Sequence, residues 1–341
     1  MSKERMTYAK AGVDIDSKSA AIASLVKELK YRRSGLGRMM DVKGQFTSLI
    51  DFGNIALTLC TDGVGTKLLI AEALKKWDTV GIDCMAMNVN DTICVGAEPF
   101  AFVDYIAIDK PNPDVTEAIG IGLQKGARLS DCEIVGGEIA VLPEMVRGVD
   151  LSGCCLGFVK KKDIVTGANI KVGDVIIGLP SSGIHSNGMT LARRVLERNE
   201  IPLDRKFDEL GKSVGEELLT PTSIYVRQVL KLLMLVKVTG MVDVTGGGLR
   251  NFVRLKEGVR FDVSRPLKPQ PIFKLLQELG NIEDKEMYQT FNMGMGFAVI
   301  VREKRAKEAI KILGKGARIV GEVVEGEGAS SSGLNLYYSS Y

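Results

Sequence analysis

Several short runs of this sequence combine glycine with oxygen- or nitrogen-bearing side chains, a pairing that suits phosphate chemistry. The first is Thr61-Asp62-Gly63-Val64-Gly65-Thr66-Lys67. Backbone N–H groups of a glycine-rich turn that feeds a helix N-terminus cradle phosphate oxygens. Lys67 adds a point charge and Asp62 a hard oxygen ligand for Mg²⁺. A plain tight turn between strand and helix would use the same glycines. The run is not a Walker A loop, because GxxxxGK[ST] is absent. Asn88-Val89-Asn90-Asp91 sets polar residues into an apolar helical stretch. A carboxylate on a buried face is costly unless ligated or hydrogen-bonded, so Asp91 is a metal candidate. The alternative is a polar residue facing solvent. Gly136-Gly137-Glu138 closes a short strand, and Glu138 could join Asp62 and Asp91 around one cation. Three separated carboxylates suit Mg²⁺ carried by a triphosphate.

The single histidine, His185, lies in Ser181-Ser182-Gly183-Ile184-His185-Ser186-Asn187-Gly188. This loop offers hydroxyls, backbone amides and an imidazole for proton transfer or substrate contact. A lone histidine excludes any multi-His metal site. The missing G-x-S-x-G elbow and second histidine exclude a serine hydrolase. Thr245-Gly246-Gly247-Gly248 and Thr290-Phe291-Asn292-Met293-Gly294-Met295-Gly296 are further turns able to hold a phosphate or a substrate amide. No pair of the six cysteines has C-x-x-C spacing, so zinc and thioredoxin-like chemistry lack support. The cysteines read as reduced core residues.

These runs must be placed by regular elements, and the pattern supplies them. Ile55–Cys60 reads as a buried strand running into the first glycine turn, with a helix over 68–76 after it. A helix over 78–94 carries Asp91. Strands over 101–108, 132–135 and 151–159 follow, with a helix over 114–129 begun by Pro113. An amphipathic helix over 17–31 shows Ile22, Leu25, Val26 and Leu29 at helical spacing, capped by Asp16 or Ser17. Later strands over 174–179, 241–244 and 318–324 and helices over 189–198 and 223–236 repeat the strand, glycine turn, helix order. The expectation is α/β (α+β) in two domains, 1–162 and 163–326, with a flexible Gly/Ser-rich tail over 327–341. The balance of 45 basic and 42 acidic residues gives no electrostatic footprint for nucleic acid or an anionic membrane. No apolar run reaches membrane-spanning length and the first ten residues lack a signal core, so a cytoplasmic location is expected.

Order and identity together are more specific than any single loop. Ala11–Asp16 (AGVDID), DGVGTK, MNVND with GAEP (Met87–Asp91, Gly96–Pro99), GGE, SSGIHSNG, TPT-IY (Thr220–Thr222, Ile224, Tyr225), TGGG, and Tyr288 with TFNMGMG occur in series. Over about residues 8 to 325 the chain resembles the phosphoribosylformylglycinamidine cyclo-ligase (AIR synthetase) family. The resemblance implies an N-terminal domain whose four-stranded sheet pairs with that of a second subunit in a homodimer, beside a C-terminal α/β domain. It implies ATP and Mg²⁺ at Asp62, Gly63, Val64, Gly65, Thr66, Lys67, Asp91, Gly136, Gly137 and Glu138, with Lys67, Asp91 and His185 in the chemistry. It implies formylglycinamidine ribonucleotide near Ser181, Ser182, Gly183, His185, Ser186, Asn187, Gly188, Thr245, Gly246, Gly247 and Asn292. The chain departs from the family pattern in places: Ser34-Gly35-Leu36-Gly37 stands where a GGFG-like loop is usual, Ile139 lacks a hydroxyl, Val141 lacks a carboxylate, and Ser223 replaces an arginine. Other ATP-using enzymes of the superfamily are selenophosphate synthetase, thiamine-phosphate kinase and a hydrogenase-maturation enzyme. Selenophosphate synthetase would place Cys or selenocysteine in the stretch Arg32–Lys43, which has none. A nucleotide-binding paralogue without catalysis is the non-enzyme alternative.

Overall fold

The computed structural model describes residues 5–13, 15–42 and 44–341. Asp14 of the AGVDID run and Lys43 of the glycine stretch lie outside the described residues.

The N-terminal half is a sheet backed by helices. Helix α1 (Ile15–Glu28) begins before Ser17, so neither Asp16 nor Ser17 stands ahead of it as a cap. Its stripe of Ile22, Leu25 and Val26 is exposed, together with Leu29 beyond its end. Strand β1 (Ser48–Phe52) turns at Gly53-Asn54 into β2 (Ile55–Gly63). Helices α2 (Leu68–Leu74) and α3 (Val80–Ile93) follow, then β3 (Glu98–Ile108) and α4 (Pro113–Ser130). The Asn112 side chain caps α4 at the N–H groups of Asp114 and Val115. Strands β4 (Glu133–Val141) and β5 (Val149–Lys160) complete the half. The order is β1-β2-β5-β3-β4, with only β3 and β4 parallel. The sheet therefore has five strands, one more than the resemblance implies, because residues 48–52 fold back as a hairpin on β2.

Helix α3 is the centre of this half. Every residue from Val80 to Ile93 except Asp91 is buried. The apolar positions face the sheet and α4, whose approach is close: a Cβ on Gly126 would lie 2.7 Å from the Cβ and Cγ of Met85. Asn88 and Asn90 are fully buried, so both amides must find partners. Asn88 Nδ2 donates to the carbonyls of Asp62 and Cys84, and Asn90 Nδ2 to that of Ser223.

The C-terminal half holds β6 (Asp174–Pro180), α5 (Met189–Arg198), β7 (Lys206–Phe207), β8 (Lys212–Ser213), α6 (Val214–Leu218), α7 (Val226–Leu235) and β9 (Val238–Asp243). Then come β10 (Arg260–Asp262), α8 (Pro271–Gly280), α9 (Asp284–Thr290), β11 (Met295–Arg302), α10 (Ala306–Leu313), β12 (Arg318–Val324), β13 (Gly328–Ser331) and β14 (Leu336–Tyr338). Seven strands form one mixed sheet in the order β14-β13-β10-β12-β6-β11-β9. β6, β9 and β11 are buried almost throughout and are rich in Val and Ile, as central strands covered on both faces must be. Residues 327–341, expected as a flexible tail, instead add two strands at the sheet edge, with Ala329 and Ser331 fully buried. The described start of the chain also crosses over. Met6 N–H bonds to the Gly280 carbonyl and Tyr8 N–H to Glu286.

Candidate functional site

The glycine-rich runs of both halves converge where α3 meets the second sheet. Asp62 sits near the end of β2, and its Oδ1 accepts from the Gly63 N–H at 2.7 Å. Asp91 is the one residue of α3 left partly open. Asp243, which the sequence reading did not single out, ends β9 and is buried at 3 % exposure. All three carboxyls are held above the usual carboxylate range. Desolvation is the main cause in each case. At Asp91 the charge of Asp62 adds to it and Arg254 opposes it, and at Asp243 the charges of Asp91 and Asp62 add to it. The three carboxyls sense one another's charge and have no ion-pair partner among the described residues. Among the described residues no three such side chains form a complete ligand set by themselves.

Glu138 does not join this group within the chain. Gly136-Gly137-Glu138 lies inside β4, not in a loop after it. The register of β3 on β4 shifts between Phe102↔Ile134 and Val103↔Gly136, so one extra residue, Val135, is accommodated. The shift exchanges faces. Gly137 now sits beside Asp104 on the helix-covered face, where its Cβ would lie 2.6 Å from Asp104 Oδ1. Glu138 pairs with exposed Tyr105 on the open face. Asp62 is also three strand spacings away, about 14 Å. The single cation site formed by Asp62, Asp91 and Glu138 is therefore not assembled in one chain. Asp104 is the carboxylate that the register brings to the helix face instead.

Lys67 is also placed differently from the sequence expectation. The run continues β2 through Gly63, makes one 3-10 turn over Gly65–Lys67, and enters α2. The Lys67 side chain is fully buried. Its Nζ donates to Asp83 Oδ1 at 2.9 Å, to the Thr220 carbonyl at 2.7 Å and to the His185 carbonyl at 3.3 Å. Asp83 Oδ1 also accepts from the Thr222 N–H at 2.7 Å and the Thr222 hydroxyl at 2.6 Å. The ammonium thus ties α3, the His185 loop and the TPT run together. Burial lowers its pKa, and Asp83 pulls the other way. In this arrangement Lys67 does not face the cleft as a phosphate contact.

His185 is buried and holds a left-handed backbone, φ +65°. Its Nε2 accepts from the Ser182 N–H at 3.2 Å and the Ser223 N–H at 3.4 Å. Burial, with the Lys67 charge beside it, brings its pKa down to about 3. The ring is therefore neutral at physiological pH, with its proton on Nδ1. The loop around it is pinned from several sides. Ser182 Oγ donates to the Pro221 carbonyl, Ser186 Oγ meets Thr222 Oγ1 at 3.2 Å, and Ser181 Oγ meets Gln270. Asn292 Nδ2 donates to the Gly183 and Ile184 carbonyls, so its amide organises this loop. Asn187 abuts Gly246 of the TGGG turn, Thr66 Oγ1 meets Thr190 Oγ1 at 3.0 Å, and the Tyr8 hydroxyl bonds to the Gly188 backbone. At the departure Ser223, the contacts to His185 and Asn90 are made by the backbone, so they do not depend on the missing arginine. Ile139 and Val141 are exposed on β4. A 390 Å³ cavity lined by Phe46, Thr47, Leu59, Cys60 and Thr61 adjoins Asp62 in sequence. A 760 Å³ cavity lies between the end of α2 and the start of α4, lined by Trp77, Lys110 and Asn112 among others. None of the sequence-predicted site residues lines it.

Comparison with known proteins places this arrangement. Residues 46–159 match the N-terminal domain model of AIR synthase related proteins and residues 171–332 the C-terminal domain model. The phosphoribosylformylglycinamidine cyclo-ligase of Methanosarcina barkeri is 49% identical over 326 residues, covering 95% of this chain and 97% of that protein. The chain belongs to the phosphoribosylformylglycinamidine cyclo-ligase family. The family member of Methanocaldococcus jannaschii is 46% identical, covering 94% of this chain and 93% of that protein. Among solved structures, HypE in a HypE–HypF complex superposes with a TM-score of 0.65 at 20% identity, covering 94% of this chain and 100% of that one. Thiamine monophosphate kinase from Aquifex aeolicus gives 0.62 at 17%, covering 95% and 99%. These two share the fold.

Proposed function

We propose that the chain closes the imidazole ring of aminoimidazole ribonucleotide from formylglycinamidine ribonucleotide, using ATP. The observation that carries this reading is the 49% identity to a cyclo-ligase over nearly the full length of both chains. Two structural neighbours, a HypE and a ThiL, were solved with ATP and with AMPPCP, respectively, which supports ATP as the phosphoryl donor.

The chemistry follows from a poor leaving group. A formamide oxygen does not depart unaided. Transfer of the γ-phosphoryl group to that oxygen makes a bond to phosphorus and releases ADP. The ribosyl-bearing nitrogen then attacks the same carbon, and the C–O bond breaks to expel inorganic phosphate. Asp62 and Asp91 would hold Mg²⁺ with the triphosphate, and Asp243 would close the site from the second half. Mg²⁺, when bound, offsets the charge of the transferring phosphoryl group. The N–H groups of the glycine runs would donate to phosphate oxygens without reorganising. His185 can meet a substrate only through Nδ1–H, because Nε2 already accepts two backbone bonds. It would then donate to the formyl group while remaining neutral.

We further infer a homodimer through the N-terminal sheet. Leu59, Val103 and Tyr105 lie exposed on its open face, and β4 is an open edge beside them. Such an apolar face on a five-stranded sheet is a surface for a second copy. Glu138 lies on that face and would be covered with it.

The deciding experiment uses substrate carrying ¹⁸O in the formyl group. Turnover with ATP should place the label in inorganic phosphate, in step with imidazole formation. Unlabelled phosphate would rule out activation of the formyl oxygen.

A further inference from the structure

Arg250 and Arg254 lie on the 3-10 segment that follows the TGGG turn, Gly248–Arg254. Among the described residues neither forms an ion pair with a carboxylate. Each guanidinium donates to a backbone carbonyl: Arg250 Nε to Ser340 at 3.1 Å and Arg254 Nη2 to Gln45 at 2.8 Å. Both are partly buried, and both converge on one aromatic ring. The Tyr341 ring centre is 5.0 Å from Arg254 Cζ and 5.9 Å from Arg250 Cζ. Arg254 also lies 4.3 Å from the centre of the Phe46 ring. Phe46 belongs to the loop before β1, and Tyr341 follows β14. Two segments nearly three hundred residues apart therefore fix one guanidinium. The same Tyr341 ring lies over the glycine turn: a Cβ on Gly247 would stand 2.7 Å from Tyr341 Cε2.

Guanidinium groups without carboxylate partners are usually left free to move in water. Here cation–π contact restrains both, beside a triple-glycine turn and with the Arg254 charge reaching Asp91. A planar fork fixed in this way matches a phosphate better than any neutral ligand. We propose that Arg250 and Arg254 bind a terminal phosphate group in the cleft, and that Tyr341 and Phe46 are the positioning residues that aim Arg254. The phosphate has two possible sources, the 5′-phosphate of the ribonucleotide or the γ-phosphate of ATP. The assignment rests on the proposed reaction only for the identity of these ligands.

The test is calorimetric titration of the full chain, without turnover. Three ligands are compared: Mg²⁺ with a non-hydrolysable ATP analogue, formylglycinamidine ribonucleotide, and the same compound without its 5′-phosphate. Arg254→Met should weaken one of the two phosphate-bearing ligands on the order of ten- to a hundredfold, the scale of a charged hydrogen-bond pair. The ligand affected identifies the source. The dephosphorylated compound should bind wild type and variant alike. Tyr341→Ala should weaken the same ligand about two- to fivefold, and Tyr341→Phe should restore it. If Arg254→Met fails to fold, Arg250→Met and the Tyr341 pair carry the same comparison. Unchanged affinity for both phosphate-bearing ligands overturns the proposal, as does equal loss for the dephosphorylated compound. A chain that shows the expected losses yet forms no imidazole would refute the assigned reaction and leave the phosphate site standing.

Discussion

Lys67 separates two accounts of the DGVGTK run. As a phosphate contact, its removal would raise the KM for ATP and spare the fold. The structure instead gives it a fully buried partner, Asp83, and two carbonyls in the second half of the chain. Lys67→Met keeps most of the side-chain length and removes the charge. Asp83 is then left as a buried anion that retains only its two bonds from Thr222, and its Oδ2 already lacks a partner. Removing one member of a buried pair costs about 3–5 kcal/mol. The carbonyls of Thr220 and His185 lose a donor as well, although part of that loss is inside the same figure. The expected change is thus about 4 kcal/mol in urea unfolding at pH 7. The double variant Lys67→Met/Asp83→Leu removes both charges and should recover a good part of it, because the desolvation cost leaves with the pair. Turnover should fall in both variants through the loosened His185 loop. A loss of stability below about 1 kcal/mol for Lys67→Met, with a raised KM for ATP, would refute the structural role and restore the phosphate role.

Further outcomes are expected. Asp62→Asn and Asp91→Asn should each weaken Mg·ATP binding in titrations while leaving far-UV circular dichroism unchanged; unaltered binding in both would remove them from the site. Asp91 and Asp243 have folded-state pKa values raised above the unfolded value of 3.8, so their contribution is full below that pH and is lost as pH rises through the folded values. The metal-free Tm should therefore fall as pH climbs above 3.8, and Asp243→Asn should flatten that slope. His185→Gln can replace the Nε2 acceptor and should keep the loop, so it should retain nucleotide affinity and lose turnover, whereas a parallel loss of both would put His185 in the nucleotide site. Light scattering should give twice the chain mass, and Tyr105→Glu, on the open sheet face, should lower it.

The sequence was informative wherever function needs backbone. The strand over 174–179, the helix over 189–198 and the strand over 318–324 lie where β6, α5 and β12 run. The glycine runs between such elements were legible because a tight turn restricts residue type locally. What the sequence hid depended on partners distant in the chain. Lys67 looked like a free cation because Asp83, on the inner face of α3, is paired with it only once α3 is buried. Period alone gave α1 its helix, but it did not reveal that its apolar stripe is exposed.

Two of the differences have one cause, which is that sheet register cannot be read from a strand by itself. Glu138 follows two glycines, and from sequence alone the run resembles a loop with a ligand at its end. One extra residue at Val135 turns the carboxylate to the opposite face. The segment 327–341 looked like a frayed end because Gly and Ser dominate it. Those small residues are what allow β13 to lie between β10 and β14 with Ser331 and Ala329 fully enclosed. Ser331 Oγ donates to the Val263 carbonyl, and Ser332 is bonded to Asp262 through both its hydroxyl and its N–H. The polar composition that argued for solvent is satisfied internally. The same edge strands carry Tyr341 back over the TGGG turn. The segment that looked least structured therefore brings an aromatic ring to the candidate site.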